Sequence, residues 1–279
     1  MANRIGVVDV GGGNRDAFGC GVFDYCMDHG IHFDFCAGVS AGSANCVSYI
    51  SGQRGRNLRF YTGYNVSGKT ISLLNYLKTG SILNLDYIYS TVSNEDGKDP
   101  FDYDAFCASA KRLCVVATDA SAAKPVYFFN DSMKRNDYRV LAASSNLAGI
   151  NKAYEYDGGY YYDGGYSDPI PFRKAFEEGC DKVVIILTLP EDYRRGNRQD
   201  HKTADKMKDY PLMKELILNK ADLYNSQLDE AIQLEEEGKI LILAPKEKPE
   251  LGSLSKDKEE ILRIYKEGYE TAKRIRDFI

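Results

Sequence analysis

The stretch Gly38-Val39-Ser40-Ala41-Gly42 constrains this chain more than any other. It lies between an apolar strand-like run over residues 33–37 and small, helix-compatible residues over 41–50. In that setting G-x-S-x-G reads as a strand–turn–helix elbow that lifts a serine hydroxyl off the end of a strand. Ser40 then sits in strained backbone, and a side chain at Gly38 or Gly42 would collide where strand turns sharply into helix. Serine acyl chemistry is the first expectation. Position narrows it. At usual element lengths only a strand, a helix and one more strand fit ahead of Ser40. An α/β-hydrolase, with several strands before its elbow, is excluded.

Residues 4–10 read as an apolar strand, followed by Gly11-Gly12-Gly13-Asn14-Arg15-Asp16 and a helix over 17–29. Phe18, Val22, Tyr25 and Cys26 share one side of that helix, and Gly30 stops it. A glycine-rich loop entering a helix N-terminus presents backbone N–H groups and the positive end of the dipole to an anion. The anion is either a nucleotide phosphate or the oxyanion of a tetrahedral intermediate. A dinucleotide loop wants glycine at the sixth position, where this chain has Asp16, whose carboxylate would repel a pyrophosphate. The oxyanion reading is preferred.

A third signal is Tyr160-Tyr161-Tyr162-Asp163-Gly164-Gly165, ahead of Ser167-Asp168-Pro169-Ile170-Pro171. Strand, G-G-G-x-R, an elbow serine about 25 residues later and D-G-G before a proline-bounded helix, in that order over nearly the whole chain, resembles the patatin-like phospholipases. The resemblance implies an α/β fold with a mostly parallel central sheet, helices on both faces and three layers. It implies hydrolysis of lipid acyl esters by a Ser-Asp dyad without histidine. Ser40 would be the nucleophile and Asp163 its general base, with Gly164 and Gly165 completing the motif after the base. The amides of Gly11, Gly12 and Gly13 would form the oxyanion hole, with Arg15 ordering the loop. Two positions depart from the family pattern: Asp16, where the loop usually closes with glycine, and Ala148, where a helix resembling residues 142–148 usually carries proline. Asp16 is expected to turn away from Ser40 and cap the helix that follows.

The dyad makes chemical sense by itself. A serine hydroxyl needs a neighbouring base to accept its proton. A carboxylate becomes a better base when burial among aromatics raises its pKa, and Tyr160, Tyr161, Tyr162 and Tyr166 flank Asp163. Asp157-Gly158-Gly159 repeats the same letters between two strand-like runs. Asp-Gly in that position is a hairpin-turn signal, so Asp157 is assigned to the turn and Asp163 to catalysis.

The 279 residues suit one domain spanning 1–279. A net charge of -5 argues against nucleic-acid binding. The longest apolar run, residues 183–187, is far short of a membrane span. Asp9 interrupts the N-terminal apolar stretch, so no signal-peptide core forms. Seven cysteines without C-x-x-C fit buried thiols in a reducing compartment, and a cytoplasmic location is expected. Cys26, His29 and His32 have ligand-like spacing, yet Gly30 breaks the helix between them and no fourth ligand is near, so neither metal nor cofactor is expected.

His201 completes the chain order of a Ser-Asp-His triad, an alternative mechanism. It lies in a charged run over 193–202 that reads as a solvated loop, with contact to phosphate head groups as the other reading. Buried strands are expected over 113–118, 183–189 and 240–243. A last helix from about residue 255 aligns Ile261, Tyr265, Tyr269, Ala272, Ile275 and Ile279. The Leu, Ile and Tyr residues of 70–77 and 82–89 are expected in the core, with an acyl pocket or lid as the second reading. The function implied is a lipid acyl hydrolase acting on phospholipid or a simpler ester, with transient contact to a membrane surface. The other class is a non-catalytic protein of the same fold that binds a lipid or a partner.

Overall fold

The central strand β1 (Ile5–Asp9) is buried along its whole length. In this computed structural model, residues 3–71, 73–198 and 200–279 are described. Ser72, in the 70–77 stretch, and Gln199, in the 193–202 run, lie outside the described residues, as do the side chains of Leu73, Leu74 and Lys78. Strands β2 (Phe35–Val39) and β7 (Lys182–Ile186) flank β1 in parallel, pairing Val7 with Cys36 and with Val184. Outside them lie β3 (Arg112–Asp119) and β8 (Ile240–Leu243), again parallel. These five strands are continuous apolar runs because both faces are covered. Val7, Cys36, Val115 and Val184 point into a core shared with α1 (Ala17–Asp28) and α2 (Ala41–Ile50). Val8, Ala37, Val116 and Ile185 point to the other side, against Phe172 and Leu228 of the helices Phe172–Glu177 and Pro211–Glu236. The protein is a three-layer α/β fold.

Past β3 the sheet reverses. Strand β4 (Lys124–Phe129), unread in the sequence, pairs antiparallel with residues 114–119 of β3 and takes one of its edges. The other edge is shared end to end. β2 occupies residues 112–116, and β6 (Gly159–Asp163) runs antiparallel to 117–119. Consequently Val39 sits opposite Val116 while Asp163 sits opposite Ala117. The C-terminal ends of β2 and β6 thus meet head-on.

β5 (Tyr154–Tyr156) joins β6 through Asp157 (φ 47°) and Gly158 (φ 79°), a two-residue turn with both central residues left-handed. Asp157 belongs to this turn and is exposed.

Three expected boundaries move. The strand over 183–189 ends at Ile186, freeing Thr188 and Leu189 to turn toward the cleft described below. The helix within 142–148 is Arg139–Ser144, and Ala148 instead bridges to Asn151. The last helix begins at Lys258, where the Asp257 carboxylate accepts the amides of Glu259 and Glu260 at 3.0 and 3.1 Å, and Ile279 is exposed. This helix crosses α1 at backbone contact. A Cβ on Gly268 would lie 2.0 Å from the Phe18 carbonyl oxygen, and one on Gly21 would lie 2.1 Å from that of Tyr265. Among the described residues all seven cysteines are free and only Cys107 is exposed, and no helix is long and apolar enough to cross a membrane.

Candidate active site

The turn from β2 into α2 forces Ser40 into φ 56°, ψ −126°, a conformation that costs an L-residue on the order of 1–3 kcal/mol. The surroundings hold it there. A Cβ on Gly38 would lie 2.4 Å from the Ser43 Cα, and one on Gly42 would lie 2.3 Å from the Asp9 carbonyl oxygen. The Ser40 amide donates to Ser144 Oγ at 2.9 Å, and Ser144 donates onward to the Val116 carbonyl at 2.6 Å. Ser144 therefore ties the turn to β3 through a residue that sequence reading placed only in a helix.

Asp163 ends β6 and is buried. Its amide donates to the Asn146 carbonyl and its Oδ1 accepts the Gly165 amide at 2.8 Å. Burial pushes its carboxyl above the ordinary value. The Lys220 charge, the Ser40 side chain as hydrogen-bond partner, the Gly165 amide and Arg195 pull it partly back. A Cβ on Gly164 would meet the Val116 carbonyl oxygen at 2.3 Å, so only glycine lets this turn lie against β3.

Gly11, Gly12 and Gly13 all have positive φ, and the loop lies directly on the elbow. A Cβ on Gly11 would be 2.1 Å from the Val39 carbonyl oxygen and 3.2 Å from the Ala41 nitrogen. Thr188 Oγ1 clamps the loop by donating to the Gly11 carbonyl at 2.7 Å. The Gly11 amide donates to Asp9 Oδ1 at 3.2 Å and is occupied, whereas the Gly12 and Gly13 amides have no partner among the described residues. Ala41, whose amide opens α2 and follows the elbow serine, also lines the cleft. Its signal in the sequence is its place directly after that serine.

Asp16 turns away from the cleft but does not cap α1 as expected. It is fully buried beside Asp9, where Asn45 Nδ2 donates to Asp9 Oδ2 and Asp16 Oδ2, each at 3.0 Å. Tyr61 adds a longer contact of 3.4 Å to Asp16 Oδ2. Burial raises both carboxyls, Asp9 to about 6, and the two side chains hydrogen-bond to each other. Two adjacent buried carboxyls share one proton rather than ionise together.

This pair makes stability depend on pH with a definite sign. The folded protein holds protons on both carboxyls more tightly than the unfolded chain; the Asp9 share of the stabilisation is complete below the ordinary carboxyl value of 3.8 and is lost as pH rises through about 6, while the Asp16 share persists to higher pH. For Asp9 the rise corresponds to roughly 3 kcal/mol at most. Urea denaturation at pH 4.5 and 7 should show Asp16→Asn losing less stability over that interval than the native chain. Parallel pH profiles for the two proteins would refute a shared proton.

Ser40, Asp163, Gly165, Arg15 and the glycine loop line one cleft of about 860 Å³. Leu83, Leu85, Ile88 and Tyr89 are buried in the core as expected, and they also line its wall. Ala41, Ile88 and Tyr89 additionally border a smaller apolar cavity of about 40 Å³. No histidine lines the cleft among the described residues. His29 stacks on Tyr25 at 4.0 Å, while His32 and His201 are exposed, and His201 lies in the short helix Asp200–Ala204 rather than in a loop. No group of three or more potential metal ligands occurs among the described residues. Sequence reading missed Lys220 and Thr188 and left Arg195 and Asp200 in a run read as a solvated loop, and the fold brings all four to the cleft.

The family model described as patatin-like phospholipase matches residues 10–176, and a domain of unknown function (DUF6363) matches residues 210–277. The chain is 30% identical over 192 residues to the uncharacterized protein YjjU of Escherichia coli (strain K12), covering 67% of this chain and 52% of that protein. It thus spans about half the length of the curated relative it matches. Among solved structures, VipD from Legionella pneumophila superposes with a TM-score of 0.49 at 14% identity, covering 99% of this chain and 67% of that one. With the family match extending over more than half the sequence, from the end of β1 through the residues after Asp163, this chain belongs to the patatin-like phospholipase family.

Proposed function

We propose that the chain is a serine hydrolase of the phospholipase A or lysophospholipase type, cleaving lipid acyl esters with Ser40 as nucleophile and Asp163 as general base. The observation that carries this reading is the head-on meeting of β2 and β6 along β3, which sets an elbow serine against a buried carboxyl of raised pKa. Ser40 Oγ attacks the ester carbonyl carbon as its proton passes to Asp163. The oxyanion is received by the free amides of Gly12 and Gly13 with that of Ala41. Collapse breaks the ester C–O bond, and the departing alcohol takes the proton from Asp163. Water then gives a proton to Asp163 as its oxygen attacks the acyl-enzyme, and Asp163 passes that proton to Ser40 Oγ as the acyl–Oγ bond breaks and the fatty acid leaves. The apolar wall of Leu83, Leu85 and Ile88 suits an acyl chain.

The non-catalytic alternative rests on Asp16 spoiling the loop, and its burial against Asn45 and Asp9 favours the enzyme instead. Residues 1–279 act as one domain in this reading, since β8 extends the common sheet and the last helix rests on α1. Free thiols favour a cytoplasmic location.

A protein with His29, His32 and His201 all replaced by glutamine should keep most of its turnover of a short-chain nitrophenyl ester and its labelling at Ser40 by a fluorophosphonate probe. Loss of labelling confined to His201→Gln would replace the dyad with a triad. No turnover of any ester by the native chain would return it to the binding class.

A further inference from the structure

The cleft that holds the glycine loop is also lined by cations that the protein leaves without full partners. Lys220, on the long helix Pro211–Glu236, is half-buried with its Nζ 4.1 Å over the Tyr166 ring. It makes no hydrogen bond or ion pair among the described residues. The Arg15 guanidinium likewise has no hydrogen-bond partner among them, and its Nε is shielded from solvent. Arg195 gives one terminal nitrogen to Asp200 at 3.0 Å, while its own Nε is shielded and unpartnered. Arg198 and Lys248 add exposed positive charge at the mouth. The carboxylates lining the same cleft are Asp163, Asp200 and Glu250. Positive groups therefore exceed negative ones in a chain whose net charge is -5.

Cations held partly out of water in excess of their counter-ions are costly unless something else neutralises them. Burial, and after it repulsion from Arg195, push the Lys220 ammonium down to about 8 against the pull of Asp163 and Asp200, which leaves it charged at neutral pH. An anion entering the cleft would relieve both the burial and the repulsion. Guanidinium and ammonium groups arranged around an open volume match a phosphate, with arginine offering paired N–H donors and lysine a point charge.

We propose that Lys220, Arg195 and Arg15 form a subsite for a phosphate group of net negative charge, so that the preferred lipid has an anionic head group rather than one neutralised by an appended ammonium. The inference deepens the hydrolase reading and rests on it for the lipid. The phosphate chemistry stands independently.

The test measures binding without turnover, by calorimetry on the Ser40→Ala protein. The probes are hexanoyl lysophosphatidate, hexanoyl lysophosphatidylcholine, glycerol 3-phosphate and inorganic phosphate. Lysophosphatidate should bind about tenfold or more tightly than the choline lipid, the scale of one charge-assisted contact. That ratio should fall toward unity in Lys220→Gln and in Arg195→Gln, and Lys220→Arg should restore it. Equal binding of the two lipids, or a ratio that survives both glutamine variants, overturns the subsite. Inorganic phosphate or glycerol 3-phosphate binding as tightly as lysophosphatidate would assign the site to a soluble phosphate and overturn the lipid preference. If the native chain hydrolyses no ester while the ratio and its loss are observed, the hydrolase reading fails and the subsite stands.

Discussion

Ser40→Ala and Asp163→Asn are each expected to lower ester hydrolysis by at least about 10³-fold, and the double variant should be little worse than either. In the proposed dyad the two groups act as one unit, because the hydroxyl cannot attack without a proton acceptor and the acceptor has no other task. Their neighbourhood explains why neither loss can be made good. Asp163 lies where β6 ends against Ala117, and no histidine lines the cleft among the described residues to take over as base. Asp157→Asn is the internal control. Its carboxyl sits in the exposed turn between β5 and β6, and the rate should stay within about threefold, as for other surface substitutions. Circular dichroism should be unchanged in all three single variants. An inactive Asp157→Asn with an active Asp163→Asn would exchange the roles of the two D-G-G motifs.

The second large effect is expected at Gly11. Gly11→Ala places a methyl 2.1 Å from the Val39 carbonyl oxygen in a backbone already at φ +67°, so the loop must lift off the elbow. Displacing the neighbouring amides should cost about 10²–10³ in kcat, the scale seen when one oxyanion donor is removed. Gly30→Ala separates this effect from the cost of left-handed backbone alone. Gly30 has φ +63°, with nothing within 4 Å of the added Cβ. It should lose on the order of 1 kcal/mol of stability and keep its activity. Equal losses of activity in both variants would show that the close approach at Gly11 has no catalytic weight.

The parts of this site legible in the sequence are those where sterics dictate residue type. Gly38, Gly42 and Gly164 stand where a Cβ would strike backbone, and such positions leave recognisable letters. The parallel strands were legible for a similar reason, since a strand covered on both faces must be apolar throughout. β4 was not, because Lys124–Phe129 begins with lysine and proline and is only partly buried, like many surface loops. Lys220 was hidden by periodicity. It lies among many charged residues on a long helix, and only the tertiary fold shows that its turn faces Tyr166. The Asp9–Asp16 pair was hidden too, because a carboxyl after a glycine loop resembles a helix cap until Asn45 and Tyr61 are brought against it.

The glycine-mediated crossing of α1 by the last helix sets a timetable for synthesis. β1 and α1 leave the ribosome well before their partners, since β7 arrives only with residues 182–186 and the helix that meets Phe18 only with residues 258–271. At about 5–20 residues per second the nascent chain carries the uncovered flank of α1 for on the order of ten seconds or more. Phe18, Val22 and Tyr25, buried in the finished protein, travel through that interval on a helix lacking one of its walls. The glycine loop at the head of α1 is therefore translated early and seated late, because Thr188 and Ser253, which hold it, emerge long after it does.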